Sequence, residues 1–279
     1  MEKIDAHLHL IDPDRLRYPW LAGVPALDGR AFTMDDYRQA AAQTGVTGAV
    51  FVEVDVHPDD APAEAQHFCR MAEEPGSGIL GVVGAAFPES PDFAAQLDAI
   101  AHPALKGIRR VLHTQDDARS KDALFRRHVA ALGPRGLTFD ICVLARQLPL
   151  AIELADACPE TSLVLDHCGV PDIAGGAFDA WSSDLRQLAE RLNVSCKLSG
   201  IVAYAGPGGA TSDTLHRWMS HALECFGPRR LIWAADWPVC NLGSSLEQWS
   251  SIAGNFLGGL SSHEQQAVCA ENAKAFYRL

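Results

Sequence analysis

The sequence predicts an α/β protein in which one (β/α)8 barrel spans residues 1–279 as a single domain. Three observations predict this fold. Eight apolar, β-rich runs recur along the chain, their starts lie about 32 residues apart, and helical patterns fill most of the intervals. That interval is the size of one βα unit, and near-continuous apolar runs are typical of parallel strands covered by helices. In such a barrel the active site lies at the C-terminal ends of the strands.

The predicted strands and helices alternate along the chain. A helix predicted over 33–44 has Thr33 as its N-cap and ends before Gly45, a residue type that commonly follows helices. An open doubly wound sheet is the alternative, but it would need a glycine-rich turn where the sequence reads HLHLIDP. The strands begin near Lys3, Val46, Ile79, Leu105, Leu137, Ser162, Val194 and Arg230, and the other helices are predicted over 62–74, 122–132, 148–157, 178–192, 211–226 and 262–276.

The composition excludes several classes of function. With 48% hydrophobic residues the chain is expected to fold, and it has no apolar run of about 20 residues that would span a membrane. The net charge of −12 lacks the cationic surface that nucleic acids require. Eight cysteines without a CxxC pair, and no signal peptide, predict free thiols and a cytoplasmic protein. The expected partner is a small molecule, and homo-oligomerisation is left open.

Polar residues at the predicted strand ends are the candidates for chemistry. His7 and His9 are two residues apart, so both imidazoles point to one face of strand one, as a metal ion or a polarised carbonyl requires. A structural role is the alternative for such a pair. In strand order, the strand-end residues are Asp5, His7 and His9; Glu53 and Asp55; Arg109 and Arg110; Asp140; Asp166 and His167; Lys197 and Ser199; and Asp236.

His167 and Asp236 extend the histidine pair to a group of four. His167 ends strand six before a glycine turn, where a structural, hydrogen-bonded histidine is the alternative. Asp236 ends strand eight among apolar residues and two tryptophans, in IWAADWP. Because burial disfavours an unpaired carboxylate, its pKa is expected to rise towards that of a useful general base. Strands one, six and eight together therefore predict a site of three histidines and one aspartate.

Seven motifs in order along the chain read DAHLHLIDP, YPWL, LKGIRR, LVLDHCGVPD, CKLSG, IWAADWPV and ENAKAFYRL. Together they resemble the amidohydrolase superfamily, and within it the sugar-lactonase branch that includes L-fuconolactonases. The resemblance implies a barrel that hydrolyses a cyclic ester at His7, His9, His167 and Asp236. Binuclear members carry a bridging Lys or Glu on strand four and a His on strand five, where this chain has Asp140. The expected cofactor is one divalent ion held by these four residues, zinc being the expected metal, or no metal at all.

Six further residues are predicted to bind substrate. Alternation places Arg109 on the face opposite Arg110, so its side chain points into the barrel. There it contacts an anionic group of the substrate or pairs with a carboxylate of a neighbouring strand. A salt bridge is likewise the alternative for Lys197, and packing over the barrel rim is the alternative for the aromatic residues of the first loop. The six residues are Arg109, Lys197, Asp140, Glu53, Trp20 and Tyr18.

The function predicted from these residues is hydrolysis of a small lactone, with a sugar-acid lactone of carbohydrate metabolism as the expected substrate. Asp236 and His167 are the predicted catalytic residues: Asp236 takes a proton from water and returns it to the leaving alkoxide. Alternatives are a lactonase of aromatic-derived dicarboxylate lactones, which would need two or three Arg in the site, and a zinc-dependent decarboxylase of the same superfamily. A catalytically silent binding barrel is the alternative from a different class. Glu64 and His67, spaced like di-iron ligands, are predicted to lie on a helix surface.

Overall fold

Eight parallel strands form one sheet in which each strand pairs with its neighbour in the sequence. The computed structural model describes residues 2–279. This strand order, without a crossover, together with the helices between the strands, confirms the predicted (β/α)8 barrel. The strands are β1 (Lys3–Leu8), β2 (Val46–Val52), β3 (Ile79–Ala85), β4 (Leu105–Val111), β5 (Thr138–Cys142), β6 (Leu163–Leu165), β7 (Val194–Leu198) and β8 (Leu231–Trp233).

The barrel closes between β8 and β1 just beyond the ends of these strands. The backbone N–H of Asp236 donates to the carbonyl of His7 at 2.9 Å, and the N–H of His9 donates to the carbonyl of Trp237 at 2.8 Å. A parallel bridge also pairs Leu8 with Trp237. Because these bonds involve the segments that carry the predicted site residues, closing the barrel also assembles the site.

Helices connect the strands and cover the outside of the barrel. They are α1 (Met34–Ala41), α2 (Ala61–Glu73), α3 (Phe93–Ala99), α4 (Ala123–Ala130), α5 (Leu148–Ala157), α6 (Phe178–Ala189), α7 (Ser212–Arg230), α8 (Leu246–Leu257), α9 (Ser262–Gln266) and α10 (Asn272–Tyr277), with a π-helical turn over Ala267–Glu271. All seven helices predicted from the sequence are present. The sequence pattern does not predict α3 or α8. A break at Gly227, where φ is 64°, divides α7 just beyond the end predicted for it.

Two separate hydrophobic cores stabilise the barrel. The larger core lies between the strands and the surrounding helices. The smaller core fills the N-terminal part of the barrel interior, where the C-terminal segment packs against inward-facing strand residues. We call this smaller core the plug of the barrel. Tyr277 belongs to it, and its hydroxyl donates to Asp140 Oδ2 at 2.9 Å. The members of the smaller core are Ile4, Ala6, Val50, Val52, Val83, Val164, Ile232, Ala234, Ala270, Ala273 and Tyr277.

The prediction that Glu64 lies on a helix surface is wrong. Its side chain is completely buried between α2 and the end of β2, and Oε1 accepts a hydrogen bond from the backbone N–H of Val54 at 3.1 Å. Burial, followed by the nearby charge of Glu53, raises the pKa of Glu64 well above its usual value. Through this hydrogen bond Glu64 holds the loop after β2 against the helix.

Two further sequence expectations concern the cysteines and membrane-spanning segments. All eight cysteines are free thiols, as predicted, and seven of them are buried. Within residues 2–279, none of the helices combines the length and apolar character needed to cross a membrane.

Candidate active site

A bulge in β1 sets the direction of its polar side chains. The pairing of β1 with β2 shifts between Asp5 and Leu8, which interrupts the simple alternation of side chains. Asp5 consequently points away from the barrel interior and accepts hydrogen bonds from the hydroxyl of Tyr37 at 2.8 Å and the N–H of Ala235 at 2.7 Å. His7 and His9 both point inward, as their spacing predicts. Asp5 therefore joins the barrel seam and not the site.

The three histidines and Asp236 meet at the C-terminal end of the barrel. The Nε2 atoms of His7 and His9 are 3.1 Å apart. Asp236 Oδ1 lies 3.8 Å from Nε2 of His7, 3.5 Å from Nε2 of His9 and 3.7 Å from Nε2 of His167. All four side chains are buried, with at most 5% of each residue exposed. The structure thus brings together all four residues of the group predicted from strands one, six and eight.

Strained backbone positions aim two of these residues inward. His167 has a φ of 53° and Asp236 a φ of 62°, in the left-handed region that residues other than glycine rarely adopt. The ring of His167 packs on Gly200, where a Cβ atom would come within 2.7 Å of the imidazole. The glycine of the CKLSG motif is therefore required for this contact. Left-handed backbone in non-glycine residues is concentrated at functional sites, where the surrounding structure maintains it.

Hydrogen bonds to the outer ring nitrogens determine the tautomers of the histidines. His9 Nδ1 lies 2.8 Å from the carbonyl oxygen of Val52, which can only accept, so His9 carries its proton on Nδ1 and directs a lone pair into the site. His7 Nδ1 lies 2.9 Å from the ammonium of Lys197, which can only donate, so the His7 proton is on Nε2. His167 Nδ1 bonds the hydroxyl of Ser199 at 2.9 Å.

Burial keeps the imidazoles neutral and makes Asp236 a stronger base. It lowers the pKa of His9 to about 3, that of His7 well below its usual value, and that of His167 to a lesser extent. Burial also raises the pKa of Asp236 to about 6, although His167 and Arg109 oppose this shift. Asp236 is therefore ionised at neutral pH and has more affinity for a proton than an ordinary aspartate.

A layer of paired charges lies directly beneath the histidines. Lys197 Nζ is 2.5 Å from Asp140 Oδ2 and 2.9 Å from Asp166 Oδ1, and all three residues are completely buried. Burial lowers the pKa of Lys197, but the two carboxylates more than compensate and raise it above its usual value. Lys197 and His7 likewise hold the pKa of Asp166 well below its usual value against the effect of burial. This layer fixes His7 from below.

Arg109 and Glu53 form a second buried ion pair beside the site. Arg109 Nε lies 2.5 Å from Glu53 Oε1, and Arg109 Nη2 also donates to the Glu53 carbonyl. Arg109 Nη1 remains 3.3 Å from His7 Nε2 and 3.6 Å from Asp166 Oδ2. Arg110 points to the opposite face of β4 and pairs with Glu89 at 2.9 Å, as alternation predicts.

A cavity of about 200 Å³ opens above the cluster. Among the residues predicted to bind substrate, Trp20 and Arg109 line it. Tyr18 is buried elsewhere, where its hydroxyl accepts from the N–H of Asp12 at 3.0 Å, and Glu53, Asp140 and Lys197 lie below or behind the cavity wall. The remaining lining residues are His9, Val54, Asp55, Val111, His113, Thr114, Cys142, His167, Tyr204, Asp236 and Val239.

Sequence reasoning misses several of these lining residues. His113 and Thr114 lie in the loop after β4, and Tyr204 ends a short 3-10 helix after β7; apolar periodicity carries no information on direction in either. The sequence pattern marks Asp55 only as a strand-end residue and Cys142 only as a small hydrophobic residue of β5. For Asp55, His113 and Thr114 the one available signal is their position shortly after the end of a strand, which in a barrel places loop residues around the site.

The cluster has a donor set that fits one divalent ion. Imidazole nitrogens and a carboxylate oxygen are the usual ligands of zinc, with bonds of about 2.0–2.2 Å. Such bonds place tetrahedral ligands about 3.4 Å apart, and the donor atoms of His7, His9 and Asp236 are separated by 3.1–3.8 Å. Because Lys197 donates to His7 Nδ1, the His7 proton is on Nε2, and a metal ion bound at Nε2 would displace it. Release of protons generally accompanies metal binding.

The fold and the buried cluster together define a barrel enzyme of the kind whose site lies at the C-terminal ends of the strands. The chain belongs to the amidohydrolase family, because the family model described as Amidohydrolase matches residues 4–279. It is 30% identical to an L-fucono-1,5-lactonase of Burkholderia multivorans over 99% of this chain and 96% of that protein. It is 26% identical to a 4-sulfomuconolactone hydrolase of Rhizobium radiobacter over 84% of this chain and 75% of that protein.

The fold is also similar to that of a solved amidohydrolase structure. The crystal structure of an amidohydrolase from Burkholderia multivorans with bound zinc superposes with a TM-score of 0.89 at 30% identity, and covers 100% of both chains. That structure holds zinc, and the cluster of His7, His9 and Asp236 in the present chain could hold one ion.

Proposed function

We propose that the protein hydrolyses the lactone of a small sugar acid and that Asp236 is the general base. The observation that carries this proposal is a buried carboxylate at the cavity floor, with a pKa raised to about 6 and surrounded by neutral imidazoles. The 30% identity to an L-fucono-1,5-lactonase over nearly the whole of both chains supports a lactone substrate.

In the proposed reaction, Asp236 removes a proton from a water molecule, and the resulting hydroxide attacks the ring carbonyl. The positive guanidinium of Arg109 and the imidazole of His167 line the same cavity and stabilise the oxygen that becomes negative. Protonated Asp236 then returns its proton to the ring oxygen as the carbon–oxygen bond breaks, which gives the open hydroxy acid.

Bound metal would add to this chemistry without changing the role of the base. The ligands would be His7, His9, His167 and Asp236, and a divalent ion there would polarise the carbonyl and lower the pKa of water. Lys197 and Ser199 orient two of these histidines through their Nδ1 atoms at 2.9 Å. Such support of ligands from behind is a general feature of metal sites.

Base consumption at constant pH, measured on a panel of sugar-acid lactones, tests the proposal. Hydrolysis produces one acid per turnover, so the wild type should consume base at constant pH, and Asp236→Asn should lower kcat by roughly 10²- to 10⁴-fold. Asp28→Asn, an exposed change in the loop after β1, is the matched control. Near-normal turnover by Asp236→Asn would refute the assignment of the base. Repeating the assay with a chelator separates the contribution of a bound metal ion from that of the side chains, because activity that survives metal removal belongs to the side chains alone.

A further inference from the structure

We propose that Asp55 and His113 bind hydroxyl groups of the substrate and select neutral, polyhydroxylated lactones against lactones that carry an additional carboxylate. This inference rests on the proposed lactone hydrolysis at Asp236 and concerns two other residues that line the same cavity. Both residues line the cavity, and neither belongs to the cluster of three histidines and one aspartate.

The backbone at Asp55 is held in an unusual conformation by three separate hydrogen bonds. Its φ is 46°, in the left-handed region. The N–H of Asp55 donates to Glu53 Oε2 at 2.7 Å, and the N–H of Val54 donates to the buried Glu64 at 3.1 Å. The carbonyl of Val54 accepts from the indole of Trp20 at 2.8 Å. Left-handed backbone is unfavourable for a residue with a side chain, so these bonds maintain a fixed direction for the Asp55 side chain.

The carboxylate that this backbone presents is left without a partner. Within residues 2–279, no group donates a hydrogen bond to the half-buried Asp55 carboxylate, and its closest opposing charges are Arg109 and Arg110. Partial burial raises its pKa, although Arg109 and Arg110 oppose this shift. A carboxylate in this condition gains most from a ligand with hydroxyl donors, and two neighbouring sugar hydroxyls supply them.

His113 supplies a second polar group on the wall between β4 and β5. Its Nδ1 lies 3.3 Å from the sulfur of Cys142. Burial raises the pKa of Cys142 far above its usual value, so the thiol is protonated and can share a hydrogen bond with Nδ1. Burial and the nearby Arg109 lower the pKa of His113 to about 4, so the ring is neutral. With its proton on Nε2, neutral His113 offers an N–H to a hydroxyl or ring oxygen of the ligand; with its proton on Nδ1, it offers a lone pair to a ligand hydroxyl.

The charges of the cavity oppose an anionic substituent. Arg109 is the one cationic side chain of the described residues that lines it, and its Nε and Nη2 groups are already bonded to Glu53. Asp55 and Asp236 add two carboxylates to the same space. A sugar-acid lactone is neutral because its acid group is esterified within the ring, whereas a carboxylated lactone would meet unpaired like charges.

Comparing a neutral and a carboxylated lactone in Asp55→Asn tests the inference. Asparagine tolerates left-handed backbone, so the loop should persist. For D-gluconolactone and L-fuconolactone we expect kcat/KM to fall roughly 10- to 100-fold, as for loss of a charged hydrogen bond. For muconolactone, measured as a substrate or as an inhibitor of the sugar-lactone reaction, affinity should instead increase. His113→Phe should lower kcat/KM for the sugar lactones by roughly 2- to 10-fold, and Asp28→Asn should match the wild type.

The opposite signs expected from the two lactone classes separate specificity from damage to the fold. A parallel loss for both classes in Asp55→Asn, or an unchanged ratio between them, would overturn the inference while leaving lactone hydrolysis in place. Wild-type preference for the carboxylated lactone would also overturn it. Absence of turnover with every lactone would instead refute the proposed function itself, and the inference with it.

Discussion

Replacing Asp236 by asparagine should stabilise the fold while it removes activity. Burial raises the pKa of Asp236 from the ordinary 3.8 to about 6. A shift of about two units means that the ionised carboxylate destabilises the folded protein by about 3 kcal/mol at pH 8. Asparagine has nearly the same shape, carries no charge and tolerates the left-handed φ of 62° at this position. The variant should therefore gain about 3 kcal/mol in its free energy of unfolding.

The gain should depend on pH in a defined direction. Between about pH 4 and pH 6 the folded protein retains a proton on Asp236 that the unfolded chain has already released, so the wild type loses stability as the pH rises. Above that window the loss is complete and constant. The advantage of Asp236→Asn should accordingly be about 1.5 kcal/mol at pH 5 and about 3 kcal/mol at pH 8.

Urea unfolding of the two proteins at pH 5 and pH 8 measures this difference. A chelator should be present, because a bound cation would stabilise the carboxylate and hide the effect of its burial. Asp28→Asn, in an exposed loop, removes one negative charge without changing a buried group and should show no such gain. A variant no more stable than the wild type at pH 8, or a gain equally large at pH 5, would contradict a pKa of Asp236 raised by burial.

Two further predictions concern Asp236 and the hydrogen bond between Tyr277 and Asp140. The value of kcat/KM should fall tenfold per pH unit below about pH 6, because only the ionised form of Asp236 accepts a proton; an acid limb near pH 4 would contradict a pKa raised by burial. Tyr277→Phe should lower the free energy of unfolding by about 1.5–3 kcal/mol, since it removes the 2.9 Å hydrogen bond to the buried Asp140 carboxylate. Urea unfolding measures this loss, and a variant as stable as the wild type would show that the bond contributes nothing net.

The core of the site is predictable from the sequence because it depends on strand geometry alone. Alternation places His7 and His9 on one face, and parallel strands bring His167 and Asp236 to the same end of a barrel. These two rules are enough to group four side chains that lie up to 229 positions apart in the sequence. The eight strands are predictable for the same reason, since each is an apolar run of the expected length and spacing.

The roles of the buried charges are not predictable in this way, because they depend on distances across the barrel. Lys197 and Asp140 lie on strands separated by β6, and they meet only because both side chains point into a narrow interior. The bulge in β1 that directs Asp5 outward is likewise a local departure from alternation with no signal in a single sequence. Asp55 depends on a left-handed backbone, which its loop neighbours impose and residue type alone does not indicate.

The plug of the barrel also sets the order in which a working enzyme can be made. His7 Nδ1 contacts Lys197, Lys197 contacts Asp140, and Asp140 accepts the hydroxyl of Tyr277. The surroundings of His7 are thus completed only by Tyr277, which is synthesised 270 residues later. Until Tyr277 has been synthesised, the smaller hydrophobic core is incomplete, and Asp140, which pairs with Lys197, lacks one hydrogen-bond donor. A nascent chain that lacks residue 277 therefore carries the candidate site without the hydrogen bond that supports Asp140 from below.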